Sequence, residues 1–150
     1  MLFRSEDVLH DALSKAGVKL VCLAGFMRIL TDGFVSRWLD KMINIHPSLL
    51  PSFKGLHTHE RAIEAGVRFS GCTIHFVRPE MDDGPIIAQA TVPIRQDDTP
   101  DALAARVLVE EHKIYPLAVR MIAEGRISIT GSQVTIKGVV NPDSAVINPA

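Results

Sequence analysis

The chain has no excess of either charge: 16 Lys and Arg stand against 17 Asp and Glu, a net charge of −1. That balance gives no electrostatic reason to expect nucleic acid or an anionic membrane as a partner. No apolar run nears the length of a membrane span. No charged segment followed by an apolar core and a small-residue cleavage site opens the chain, so the expected setting is the cytoplasm. Cysteine is scarce. Cys22 falls in a predicted buried strand and Cys72 begins another, without metal spacing, and both read as reduced structural thiols. His57 and His59 flank Thr58, but no third ligand follows at a recognisable interval, so no metal is expected. Neither a G-x-G-x-x-G nor a Walker sequence is present, so no Gly-rich phosphate cradle is written here. Internal repeats and low-complexity stretches are absent as well.

What is there is ordinary globular sequence: 150 residues, 47% apolar and 22% charged, one domain by length. Ser5 can cap a helix to about Ala16 with a stripe of Val8, Leu9, Ala12, Leu13 and Ala16. The apolar run 18–24 reads as a strand buried on both sides. Thr31 opens a short helix to Trp38, and Lys41–Ile45 is the next strand. A Pro-, Ser- and Gly-containing loop leads to a helix capped by Thr58 and ending before Gly66. Cys72–Val77 and Ile86–Ile94 read as strands. Thr99 and Pro100 open a long helix to about Glu124, with a kink expected at Pro116. Residues 127–130 and 134–137 flank a Gly-Ser turn as a hairpin, and a tail expected to be mobile follows from Val139. Helices alternating with strands imply an α/β fold with an open mixed sheet flanked by helices. Ligands bind such sheets beyond the carboxyl ends of the strands.

Three groups at those ends can carry chemistry. Asn44 and His46 are two apart on a strand and project together, and Pro47, lacking an N–H, ends the pairing. An amide can meet an oxyanion, an imidazole can move a proton, and an acid can orient the imidazole. Asp82, in Met-Asp-Asp-Gly-Pro, is the acid if its loop folds back over His46; otherwise it is only a turn former. Asn44 and His46 can equally serve the backbone at the strand end. His75, between Ile74 and Phe76, is either a hydrogen-bonded sheet residue or a support for the site. Gly25–Leu30 offers either a slot for a flat heterocycle or a plain strand-to-helix turn. Glu111 shares an apolar helical face with Ala104, Val107, Leu108, Ile114 and Ala118, which is costly unless it is paired or lies wet in a cleft.

The segments LAGFMRIL (23–30), NIHPSLLP (44–51), GLHTH (55–59), GCTIHFV (71–77), MDDGPII (81–87) and EHKIYP (111–116) together resemble the phosphoribosylglycinamide formyltransferases. The likeness runs from about Val8 to Gly138, giving a formyltransferase domain over 1–138 and a tail over 139–150. Formyltetrahydrofolate deformylase and methionyl-tRNA formyltransferase share the Asn-x-His and Asp-x-Gly sites, but GFMRIL and GLHTH favour the glycinamide enzymes. A non-catalytic folate-binding remnant is a further alternative.

The resemblance implies an open, mostly parallel mixed sheet and transfer of formyl from the co-substrate 10-formyltetrahydrofolate to the amino group of glycinamide ribonucleotide, without a metal. Asn44 would bind the formyl oxygen, and His46 would stabilise the tetrahedral intermediate. Asp82 would act on His46 and through an ordered water; an Asp beside a His favours the imidazolium. Met27, Arg28, Ile29, Leu30, Asn44, Arg78, Pro79, Glu80, Met81 and Asp82 would hold the folate. Leu108, Val109, Glu110 and Glu111 would face the ribonucleotide. The partners implied are these small molecules, with an oligomer left open. Two departures stand out. Pro79 replaces a more usual acidic residue. The first third of the usual chain, with its phosphate-binding loop, has no counterpart here, so the chain reads as N-terminally truncated and its transfer activity is expected to be impaired.

Overall fold

The computed structural model describes residues 2–26 and 28–150. The elements in order are α1 (Leu2–Lys15), β1 (Val21–Leu23), α2 (Asp32–Arg37), β2 (Met42–His46), α3 (Thr58–Ala65), β3 (Phe69–Phe76), β4 (Ile86–Pro93), α4 (Pro100–Ala123), β5 (Ile127–Thr130) and β6 (Gln133–Ile136). Strands β1 to β4 form an open sheet in that order, and β5 and β6 form a separate hairpin. The sheet is mixed and flanked by helices, as anticipated. Its parallel part among the described residues is the β1–β2 pair, while β2–β3 and β3–β4 run antiparallel.

Strand alternation sorts β2 and β3 into two faces. Ile43 and Ile45 join Cys72, Ile74 and Phe76 in the main core, with Leu103, Val107, Ile114 and Ala118 of α4. On the opposite face β2 starts apolar and turns polar. Met42 packs with Phe34, Val35 and Trp38 in a second cluster, whereas Asn44 and His46 lie opposite His75 and Thr73 of β3. This change from apolar to polar along one strand marks the floor of the site.

Local signals set several boundaries. Thr31 caps α2 by accepting from Phe34 N, and Thr99 caps α4 by accepting from Ala102 N. Pro100 occupies the first turn of α4, and the helix continues through Pro116. Elsewhere the structure corrects the sequence reading. Ser5 lies inside α1, not at its cap. Val8 and Leu9 are 68% and 42% exposed. The inward face of α1 is instead Glu6, which accepts from Thr31 N and Thr31 Oγ1, His10, edge-on to Trp38, and Leu13, in the second cluster. Polar side chains hold inward positions there because each has a tertiary partner, which periodicity alone does not register. Cys22 is exposed, because β1 pairs only with β2 among the described residues. Thr58 is not a cap: His57, with φ of 55°, takes that position. The Thr58 hydroxyl donates instead to Pro47 O at 2.7 Å. The tail beyond Gly138 has no helix or strand, yet Asn148 Nδ2 donates to Arg68 O at 2.7 Å and Ile94 O at 2.9 Å.

Candidate active site

The loop after β2 is built on the polar sheet face. Thr73, fully buried, donates to Ser48 O at 2.7 Å and accepts from Leu50 N at 3.1 Å and Gln89 Nε2 at 3.0 Å. Ser48 Oγ donates to Ser52 O at 2.6 Å. His46 Nε2 donates to Phe53 O at 2.9 Å. A carbonyl only accepts, so that contact places a hydrogen on Nε2 and leaves Nδ1 as the second working atom of the ring.

Nδ1 faces the acid. Asp82 Oδ2 lies 3.5 Å away, and both side chains are nearly buried. Asp82 adopts a left-handed φ of 52°, a conformation Asp tolerates better than most residues. The same Oδ2 accepts from Gly55 N at 2.9 Å, and Lys54 Nζ pairs with Asp83 at 2.7 Å. The loop between β3 and β4 is thus fastened to the loop after β2, and the fold-back left open by the sequence is realised. Gly84 makes that path possible: a Cβ there would sit 1.6 Å from Phe76 O. Arg78 anchors the other end of the loop through Asp40, at 2.6 Å.

These groups open onto a cleft of about 450 Å³, a usual size for a small-molecule site. Leu23, Leu30, Val35 and Val77 form its apolar wall and also belong to or pack on the second core cluster. Arg28, Ile29, Leu30, Asn44, His46, Arg78, Pro79, Glu80, Met81, Asp82 and Glu111 all line it. Met27 lies outside the described residues. Leu108, Val109 and Glu110 are not among the lining: Leu108 and Val109 are exposed, and Glu110 pairs with Lys113 at 3.0 Å.

Burial sets the titration of the cleft's remaining groups. It pushes the Glu111 carboxyl up, with His112 and His46 pulling the other way. It pulls the His59 imidazole down, helped by the charge of His46. His75 is also pulled down, mainly by burial. Outside the cleft, in the main core, the Cys72 thiol is pushed up to about 12, first by burial and then by Glu111, and so stays protonated. The sequence reading missed Thr73 and the Gly55 amide. Thr73 was detectable in principle, since it sits two residues before His75 on a strand opposite the Asn44–His46 row. The Gly55 contact spans 27 residues and has no local signature.

An amide, an imidazole and a carboxylate on one cleft wall can receive a developing oxyanion and move a proton. The chain is similar to known proteins over most of its length. The family model described as "Formyl transferase" matches residues 4–119. A human protein named trifunctional purine biosynthetic protein adenosine-3 is 51% identical over 124 residues, covering 83% of this chain and 12% of that protein. The phosphoribosylglycinamide formyltransferase of Haemophilus influenzae is 43% identical over 143 residues, covering 95% of this chain and 68% of that one. A crystal structure of the enzyme of the same name from Anaplasma phagocytophilum superposes with a TM-score of 0.87 at 48% identity, covering 90% of this chain and 67% of that chain. The chain therefore spans about an eighth of the human protein and about two thirds of the bacterial ones. Its fold, the groups gathered in its cleft and this likeness establish that the chain belongs to the formyl transferase family.

Proposed function

We propose that this chain carries the formyl-transfer centre of a cytoplasmic phosphoribosylglycinamide formyltransferase, acting in purine biosynthesis. Formyl would move from 10-formyltetrahydrofolate to the amino group of 5'-phosphoribosylglycinamide. The observation that carries the proposal is the meeting of His46 Nδ1 and Asp82 Oδ2 at 3.5 Å in a cleft that Asn44 also lines. In the reaction the amine nitrogen bonds the formyl carbon, the bond from that carbon to folate N10 breaks, and one proton passes from the amine to N10.

Asn44 donates to the formyl oxygen as negative charge develops on it, a contribution of about 10²–10³-fold for a donor of this kind. The Nε2 hydrogen of His46 is committed to Phe53 O, so the ring exchanges its proton through Nδ1, on the Asp82 side. Asp82 orients that ring and relays the amine proton through water. The apolar wall with Arg28–Leu30 and the 78–82 loop receives the folate. Glu111 marks the side of the amine substrate, and its raised carboxyl suits a cleft group shielded from water. Residues 1–138 form the catalytic domain and 139–150 a tail.

The test is transfer to glycinamide ribonucleotide, followed by folate absorbance, with the 150-residue chain and with a chain extended upstream to the length of the bacterial relatives. The extended chain is expected to turn over, and His46→Ala in it to lose about 10²–10⁴-fold in rate with folate affinity retained. Failure of both chains to bind folate would sink the reading. Formate release without the amine would instead make water the acceptor.

A further inference from the structure

Among the described residues, two buried ring nitrogens that line the cleft lack a hydrogen-bond partner, His59 Nδ1 and His75 Nε2, and the second belongs to the residue paired with Asn44. His75 is 3% exposed. Its Nδ1 lies 3.0 Å from Phe76 O, which can only accept, so Nδ1 carries the hydrogen. Burial favours the neutral ring by pulling its proton affinity below the ordinary imidazole value, against the Phe76 hydrogen bond and then Asp82, which raise it. Nε2 is therefore a bare lone pair. It is buried and has no hydrogen-bond partner among the described residues, and leaving a buried acceptor empty is costly. Such an atom in a binding cleft calls for a donor.

The register supplies one. Asn44 is the residue directly opposite His75 on the antiparallel β2–β3 pair, and both line the cleft. Side chains so placed have Cβ atoms roughly 5 Å apart, within reach of an amide and an imidazole. Resting on the formyl-transfer reading, we propose that His75 is a positioning residue: its Nε2 accepts one N–H of the Asn44 side-chain amide when the cleft is filled. That bond fixes which way the amide faces. Its second N–H then points into the cleft at the formyl oxygen, and its carbonyl is turned away from the developing negative charge. Without the imidazole, an Asn can present either end, and the wrong end repels the oxyanion.

Two measurements test this independently. The first needs no turnover. In ¹⁵N spectra of the chain with saturating tetrahydrofolate, the His75 Nε2 resonance is expected to move on Asn44→Ala, and the two Asn44 amide protons to be well separated. Their separation should collapse in His75→Phe. An Nε2 resonance indifferent to Asn44→Ala overturns the proposal, because another donor or water then fills the site. This result stands whether or not the formyl-transfer reading survives.

The second is kinetic, in the extended chain. His75→Phe is expected to lower kcat about as much as Asn44→Ala, by about 10²-fold, with KM for the folate little changed. The double variant should be no worse than Asn44→Ala alone, since both remove one function. His75→Gln, which keeps an acceptor, should recover part of the rate and guards against a folding defect in the Phe variant. Fully additive losses, or a raised KM with unchanged kcat, would overturn the proposal.

Discussion

Asp98 shows how much one side chain can organise away from the chemistry. Arg106 grips it with two hydrogen bonds, of 2.7 and 2.6 Å, and also donates to Pro93 O at 2.9 Å, joining the end of β4 to the first turns of α4. Arg95 N donates to the same carboxylate at 2.8 Å. The Arg106 hydrogen bond foremost holds the Asp98 carboxyl down to about 2. The unfolded chain takes up this proton first, near the ordinary Asp value of about 3.9. The stability Asp98 gives is therefore fully present above about pH 4 and lost as pH falls through about 2. Urea titrations should find Asp98→Asn most costly at neutral pH, with the gap closing between about pH 4 and pH 2. A gap independent of pH would contradict the sign. Asp98 and Arg106 drew no notice in the sequence because their pairing depends on where β4 ends relative to α4. Asn44 and His46 were legible because strand periodicity and a following proline are local facts. Glu6 and His10 were not, since only their partners at the two ends of α2, Thr31 and Trp38, explain why they face inward.

At the scale of elements, the caps of α2 and α4 followed from local chemistry that the structure leaves intact. Tertiary partners decided the rest: Thr58 gave up its capping role for Pro47 O, and among the described residues β1 pairs with β2 alone. The loop from Val77 to Pro85 was the decisive unknown, and its course hangs on Gly84. Gly84→Ala would drive a methyl into Phe76 O, so the loop must shift and carry Asp82 with it. The expected outcome is a loss of about 1–3 kcal/mol by chemical denaturation, together with a drop in formyl transfer larger than that stability loss explains. Normal transfer in this variant would show that Asp82 does not need its present seat.

Across the whole molecule, the two hydrophobic clusters divide the work. The one under α4 holds the sheet together, and the one built by α2 and Met42, on which Leu13 of α1 packs, doubles as the wall of the cleft. Leu103 is fully buried in the first and distant in chain from every cleft residue but Glu111. Leu103→Ala should cost about 2–5 kcal/mol in a urea melt while leaving folate affinity near normal at low temperature. A large loss of affinity in the folded variant would mean that the clusters are not separable. One further consequence belongs to the Asp82 carboxylate, a single oxygen of which serves both the His46 ring and the Gly55 amide. Whatever draws that oxygen toward a bound molecule releases the amide, and the deuterium uptake of Gly55 then becomes a clock for occupancy of the centre. It should run slow when the cleft is empty and faster when a reacting amine claims the acid, a readout that needs neither a chromophore nor a completed turnover.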